Sequence, residues 1–256
     1  MKKYLQILLV VLFLNFGYNS NAQQTRYIDD IFTTVNVTSN VVYATNLSVL
    51  PLLQSLPPAP ADLLCDIYEP DGDTVTNRPV IIIMHTGSFL PAIANGQPTG
   101  SKTDLSIVEQ CNRWAKKGYV AVAMSNRQGW NPTSTDQDVR TATLLQAAYR
   151  AIQDAKAMVR YMRMTEATGN TYGIDESKIV LGGQGTGGYI SMSYDALDNP
   201  AVELNLAKFI NFNVPQGVPP MPYVIPAWYG NPDGTDTTYY PALTPPFNFP
   251  VPVQWN

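Results

Sequence analysis

Histidine is almost absent from this chain. His85 stands alone in 256 residues, beside two cysteines, Cys65 and Cys111. That ligand supply is too small for the usual His/Cys zinc site, a haem or an iron–sulfur cluster, and only all-oxygen metal sites stay open. Asp71, Asp73, Asp233 and Asp236 are scattered among turn residues without the spacing of a calcium loop, so no cofactor is called for. Charge is scarce too, at 14% of residues. Sixteen basic residues against 20 acidic ones leave a net charge of −4. Such a chain has no positive field to gather phosphates, which excludes nucleic acid as an expected partner. Only the first residues form a long apolar run. Lys2 and Lys3 precede a stretch over residues 5–16, and Ser20-Asn21-Ala22 follows with small residues where a signal peptidase reads. About 12 apolar residues fall short of the roughly 20 that a spanning helix needs. Residues 1–22 are therefore expected to be a cleaved secretory signal, with a mature chain from Gln23, no membrane span in it, and a secreted, periplasmic or extracellular location. In an oxidising compartment Cys65 and Cys111 either pair or stay as two separately buried thiols, and the sequence leaves both open.

The remainder is 45% hydrophobic, enough for one large core. From Thr33 onward short apolar runs alternate with helical periodicity, the grammar of parallel strands joined by crossover helices. Strands are expected at 63–68, at 79–84, where a continuous β-branched run is fit to be buried on both faces, at 119–124, at 178–181 and at 207–212. Helices are expected around 106–117, with Ser106 and Glu109 as a capping box, at 141–164, with basic residues near its end facing the helix dipole, and at 187–197. Beyond Val214 no period survives. Residues 214–256 hold 11 of the 21 prolines together with Tyr223, Trp228, Tyr229, Tyr239, Tyr240, Phe247, Phe249 and Trp255. They are expected to form an irregular cover. Its rings either stack on sugars or aromatic acyl groups, or pack the loop over the sheet edge.

The strand at 178–181 runs into Gly182-Gly183-Gln184-Gly185-Thr186-Gly187-Gly188 and then a helix. A phosphate loop is excluded, since no lysine follows and the glycine spacing fits neither usual fingerprint. A buried strand, a tight glycine turn and a helix form the geometry of a nucleophile elbow. With His85-Thr86-Gly87 after the third strand, Gln153-Asp154 and Arg160-Tyr161-Met162-Arg163 on the long helix, and Tyr172-Gly173-Ile174-Asp175, residues 41–212 resemble the α/β-hydrolase superfamily, in particular its secreted carboxylesterase and lipase branch. The resemblance implies a three-layer α/β sandwich with a mostly parallel sheet for residues 23–213, and ester hydrolysis as the ancestral activity.

Set on the Gly-x-Ser-x-Gly pattern, the elbow reads Gly183-Gln184-Gly185-Thr186-Gly187. The nucleophile's position is Gly185, which has no side chain to attack a carbonyl. Thr186 as nucleophile would sit on the helix start and would need an adjacent base that the chain lacks. His85 precedes the elbow, in the loop that supplies an oxyanion hole in relatives, and reads as a structural residue of that loop. Strands carrying the family's acid and late histidine are not evident after Phe212. The natural polypeptide either continues past Asn256, which an ending within the cover favours, or has lost its catalytic half. What survives is a pocket of oxyanion type made of His85, Thr86, Gly87, Gln184 and Thr186. Two functions follow: an esterase-like hydrolase by lineage without its triad in this chain, or a non-catalytic protein holding a small ester, acyl or glycan ligand. Arg127 is expected to be a buried anchor for loop carbonyls. Restoring a side chain at the apex, as in Gly185→Ser, is expected to lower stability, because the strained backbone there costs a non-glycine residue about 1–3 kcal/mol.

Overall fold

The computed structural model describes residues 24–214 and 216–235, without the side chains of Ala227 and Trp228. The leader expected at 1–22 and the rings at Tyr239, Tyr240, Phe247, Phe249 and Trp255 lie outside the described residues.

The β-branched run after Pro79 forms β3 (Arg78–Met84), almost entirely buried, and β4 (Val120–Met124) is buried along its whole length. The two pair in parallel from Val80↔Val120 to Met84↔Met124. On the other side of β3 lies β5 (Ile174–Gly183), also parallel, with Met84 opposite Gly183. Two antiparallel strands, β2 (Ala59–Pro70) and β1 (Val35–Ser48), complete the order β1-β2-β4-β3-β5. The sheet is mixed, with its parallel part at the strands that lead into the candidate site.

Alternation along each strand divides the core into two layers. Ile81 and Ile83 of β3, Ala121 and Ala123 of β4 and Tyr68 of β2 meet Ile107, Cys111 and Ala115 of α1 (Leu105–Lys116). The opposite residues, Val80, Ile82, Met84, Val120, Val122 and Met124, meet α2 (Gln137–Ala167) and α3 (Thr186–Ala196). Helices thus cover both faces, giving the three-layer sandwich of the α/β-hydrolase type.

Local departures from the sequence reading have physical causes. No Ser106–Glu109 capping box forms: α1 begins after Asp104, and the Ser106 hydroxyl instead donates to Gln184 Oε1 at 2.7 Å. The long helix starts four residues earlier than expected because the Asp136 side chain caps it, accepting from the Asp138 N–H at 2.8 Å. It also runs on to Ala167, so its last turn contains no basic residue. Residues 207–212 do not join the central sheet. A 3-10 turn (Ala207–Phe209) leads into β6 (Ile210–Asn211), which pairs antiparallel with β7 (Met221–Pro222) in a separate two-stranded sheet. The described part of the aromatic cover, 216–235, is fixed to α2 by side chains of that helix. Gln146 Nε2 donates to the Tyr223 carbonyl, the Tyr149 hydroxyl to the Gly230 carbonyl, and Gln153 Nε2 to those of Tyr229 and Asn231.

Cys65 and Cys111 are free thiols, both fully buried and in different layers of the core. Burial, with the nearby Asp66 charge, pushes each up to about 12. Thiolate is the reactive form, so neither should be alkylated by iodoacetamide at pH 8 in the native protein and both should be after unfolding in urea. Counting modified thiols by intact mass checks this; native labelling would contradict the packing.

Candidate functional site at the carboxyl ends of β3 and β5

Parallel strands end together, and their carboxyl ends are where open α/β sheets place ligands. Here β3 delivers His85-Thr86-Gly87 and β5 delivers Gln184-Gly185-Thr186 to the same edge. The turn after β5 is tight. Gln184 N–H donates to the Met84 carbonyl at 3.1 Å, and Gly187 N–H returns to the Gln184 carbonyl at 2.9 Å. Gly185 stands at its apex, exposed, with φ 52° and ψ −116°. A positive φ of this kind is sterically costly for any residue with a Cβ. Helix α3 then starts at Thr186, whose N–H has no intrahelical acceptor and lies at the positive end of the helix dipole.

The facing loop is equally constrained. Gly87, Ser88 and Phe89 all have positive φ, at 121°, 55° and 57°. Two of these are not glycines, so the conformation has to be imposed from outside. Trp130 Nε1 donates to the Ser88 carbonyl at 2.7 Å and Gly129 N–H to that of Phe89 at 2.7 Å. Asn95 Nδ2 reaches the carbonyls of Leu90 and Thr99, and Gln128 Nε2 those of Leu90 and Gly100. These supports were not singled out from the sequence. Asn95-Gly96 does carry a turn signal, whereas nothing local marks Gln128.

Of the residues named for the pocket, Thr86 meets the elbow position: a Cβ added to Gly185 would overlap the Thr86 Oγ1. Gln184 belongs to the same turn but its side chain reaches outward to Ser106 on α1. His85 is 2% exposed, and its Nδ1–H donates to the Thr86 carbonyl at 2.6 Å, which fixes the tautomer. Burial lowers its pKa, opposed by that hydrogen bond and by the charge of Asp104. The ring is thus held neutral and spends one nitrogen on its own loop. As the pH falls through the ordinary value of 6.5, the unfolded chain takes up a proton first. His85 therefore contributes full stability above 6.5 and loses it on descent until the folded-state pKa is reached. Urea unfolding of wild type and His85→Gln at a series of pH values should show this slope only in the wild type; equal slopes would refute it.

Beneath the loop after β4, Arg127 is 3% exposed and ion-paired with Asp154 of α2 at 2.7 Å. It also donates to the carbonyls of Leu47 and Arg150 and to Gln153 Oε1. Asp154 is therefore occupied in holding that loop. Asp71 and Asp73 are similarly engaged, with Thr34 and Asn36, and with Arg26. Asp233 pairs with Lys156 at 3.6 Å. Among the described residues no helix is long and apolar enough to cross a membrane.

The BD-FAE family model matches residues 65–233. A thermophilic esterase from the Planctomycetes species Thermogutta terrifontis is similar over 66% of this chain and 46% of its own, with 23% identity and a TM-score of 0.41. A hyperthermophilic esterase from the archaeon Pyrobaculum calidifontis is similar over 64% and 40%, with 16% identity and a TM-score of 0.36. A truncated carbohydrate esterase from gut microbiota is similar over 65% and 45%, with 24% identity and a TM-score of 0.36. The chain spans less than half the length of each of these structures. No curated protein matches it.

Proposed function

The chain belongs to BD-FAE, an esterase family on the α/β-hydrolase fold, and from that premise we propose that it binds a small ester or acyl ligand without forming a covalent acyl intermediate. Gly185 carries the proposal. The strand, turn and helix that would present an attacking oxygen are built, and the apex residue has only hydrogen to present. Covalent acyl transfer needs a nucleophile with a base beside it. The one histidine of the chain precedes the elbow, is buried, and is hydrogen-bonded to its own loop. What the site would offer a ligand carbonyl or carboxylate is the Thr186 N–H at the start of α3, beside a loop at residues 87–90 that Trp130, Asn95 and Gln128 hold in place.

Export belongs to the same proposal. The basic start, apolar stretch and small residues at 20–22 support a cleaved leader, which would place the ligand outside the cytoplasm. Incubating the purified protein with a short activated ester tests the function, with butyrate binding followed by calorimetry alongside. Binding without release of the alcohol above the uncatalysed rate is expected. Turnover that saturates with ester concentration would overturn the proposal.

A further inference from the structure

Thr86 is the residue that meets the empty apex. A Cβ built on Gly185 would overlap its Oγ1 and lie 3.1 Å from its Cβ, while the Thr86 backbone stays 3.9 Å away. The conflict thus involves the threonine side chain and not the chain path. Among glycines of the same turn the situation is different: at Gly183 and Gly187 the nearest atoms are backbone of β3 and α3. Threonine carries two heavy atoms on Cβ, so of its three staggered positions only one turns a hydrogen toward residue 185. A side chain at 185 would therefore force Thr86 into that single rotamer.

Resting on the non-covalent reading above, we propose that Thr86 stands in for the missing apex side chain. Its hydroxyl takes up the space in which the Cβ of any side chain at 185 would stand, and residues 86 and 185 act as one unit that closes the site to covalent chemistry. Returning a reactive side chain to 185 does not by itself recreate an accessible nucleophile, because residue 86 must be confined to that one rotamer or shrink as well. Thr86 is on this account a positioning residue that sets what the site can admit.

A reporter thiol tests this, since Cys65 and Cys111 are fully buried and give little background. Four chains are compared: wild type, Thr86→Gly, Gly185→Cys and the double variant. The thiol at 185 lies at the start of α3, where the helix dipole favours thiolate. Its alkylation by iodoacetamide should be about tenfold faster with glycine at 86 than with threonine. The loss of melting temperature caused by Gly185→Cys, about 5 °C, should be at least halved in the Thr86→Gly background. Gly185→Ala, which adds only the Cβ, should repeat the thermal pattern. If Gly185→Cys does not fold, rescue by Thr86→Gly supports the pairing and failure of rescue refutes it. Equal alkylation rates with additive melting shifts would also refute it. A covalent adduct on the wild-type protein is a separate result: it would remove the non-covalent reading and leave the coupling of 86 with 185 standing.

Discussion

Asp154→Ala is expected to cost about 3–5 kcal/mol of folding stability, because it strands Arg127 in the interior without its counter-charge. Both side chains are 1% exposed, and the carboxylate makes three contacts at once: with the Arg127 backbone N–H at 2.6 Å, with Nε at 2.8 Å and with an Nη. Removing it takes the acceptor from the Arg127 backbone N–H and Nε–H in a buried site, and leaves the guanidinium charge with the neutral acceptors of Leu47, Arg150 and Gln153. The pair as such adds far less than this, since much of its attraction repays desolvation. The informative companion is therefore Arg127→Met with Asp154→Leu, whose cost should be well below that of Asp154→Ala. Urea unfolding monitored by tryptophan fluorescence measures both. A loss under 1 kcal/mol for Asp154→Ala would mean that the loop after β4 is not anchored in this way.

The second large effect is expected at Gly187. A Cβ there would overlap the Met84 carbonyl oxygen and lie 2.6 Å from its carbon and 2.9 Å from the His85 carbonyl oxygen. All three are backbone atoms of β3 and the residue after it, and none can rotate away. For alanine to fit, α3 must lift from the sheet, which breaks the contact that holds the turn at Gly185 over the ends of β3 and β5. We expect Gly187→Ala to cost about 3 kcal/mol or more, the upper end of overpacking effects. Gly182→Ala is the control. Its Cβ meets only Ile83 Cδ1 at 3.7 Å, an ordinary contact, so its effect should stay within about 0.5 kcal/mol. Similar losses at both positions would show that α3 does not approach β3 this closely.

These two sites illustrate what was legible before the structure. The buried strands β3 and β4 follow from unbroken apolar runs, and α1 and α2 from their apolar stripes, because periodicity is a local record of burial. The glycines at 183 and 187 likewise announce a close backbone approach, and Gly185 a positive φ at the apex of the turn. Partners distant in sequence leave no such record. Arg127 reads as an anchor, but nothing near it points to Asp154, 27 residues away on α2. Thr86 reads as an oxyanion-loop residue, and only the register of β3 beside β5 brings its hydroxyl to the apex at 185. Ser106 and Glu109 have capping-box spacing, yet Gln184 claims the serine hydroxyl. Residues 207–212 have strand composition, but β6 finds its partner in β7 and not in β5.

The central claim concerns the apex at Gly185, and the most direct measurement is the intact mass of the purified protein after incubation with an activated phosphonate ester. The account predicts an unchanged mass, with butyrate binding intact in the treated sample. One phosphonyl group per chain, retained through denaturation and mapped to any serine or threonine of this sequence, would contradict it.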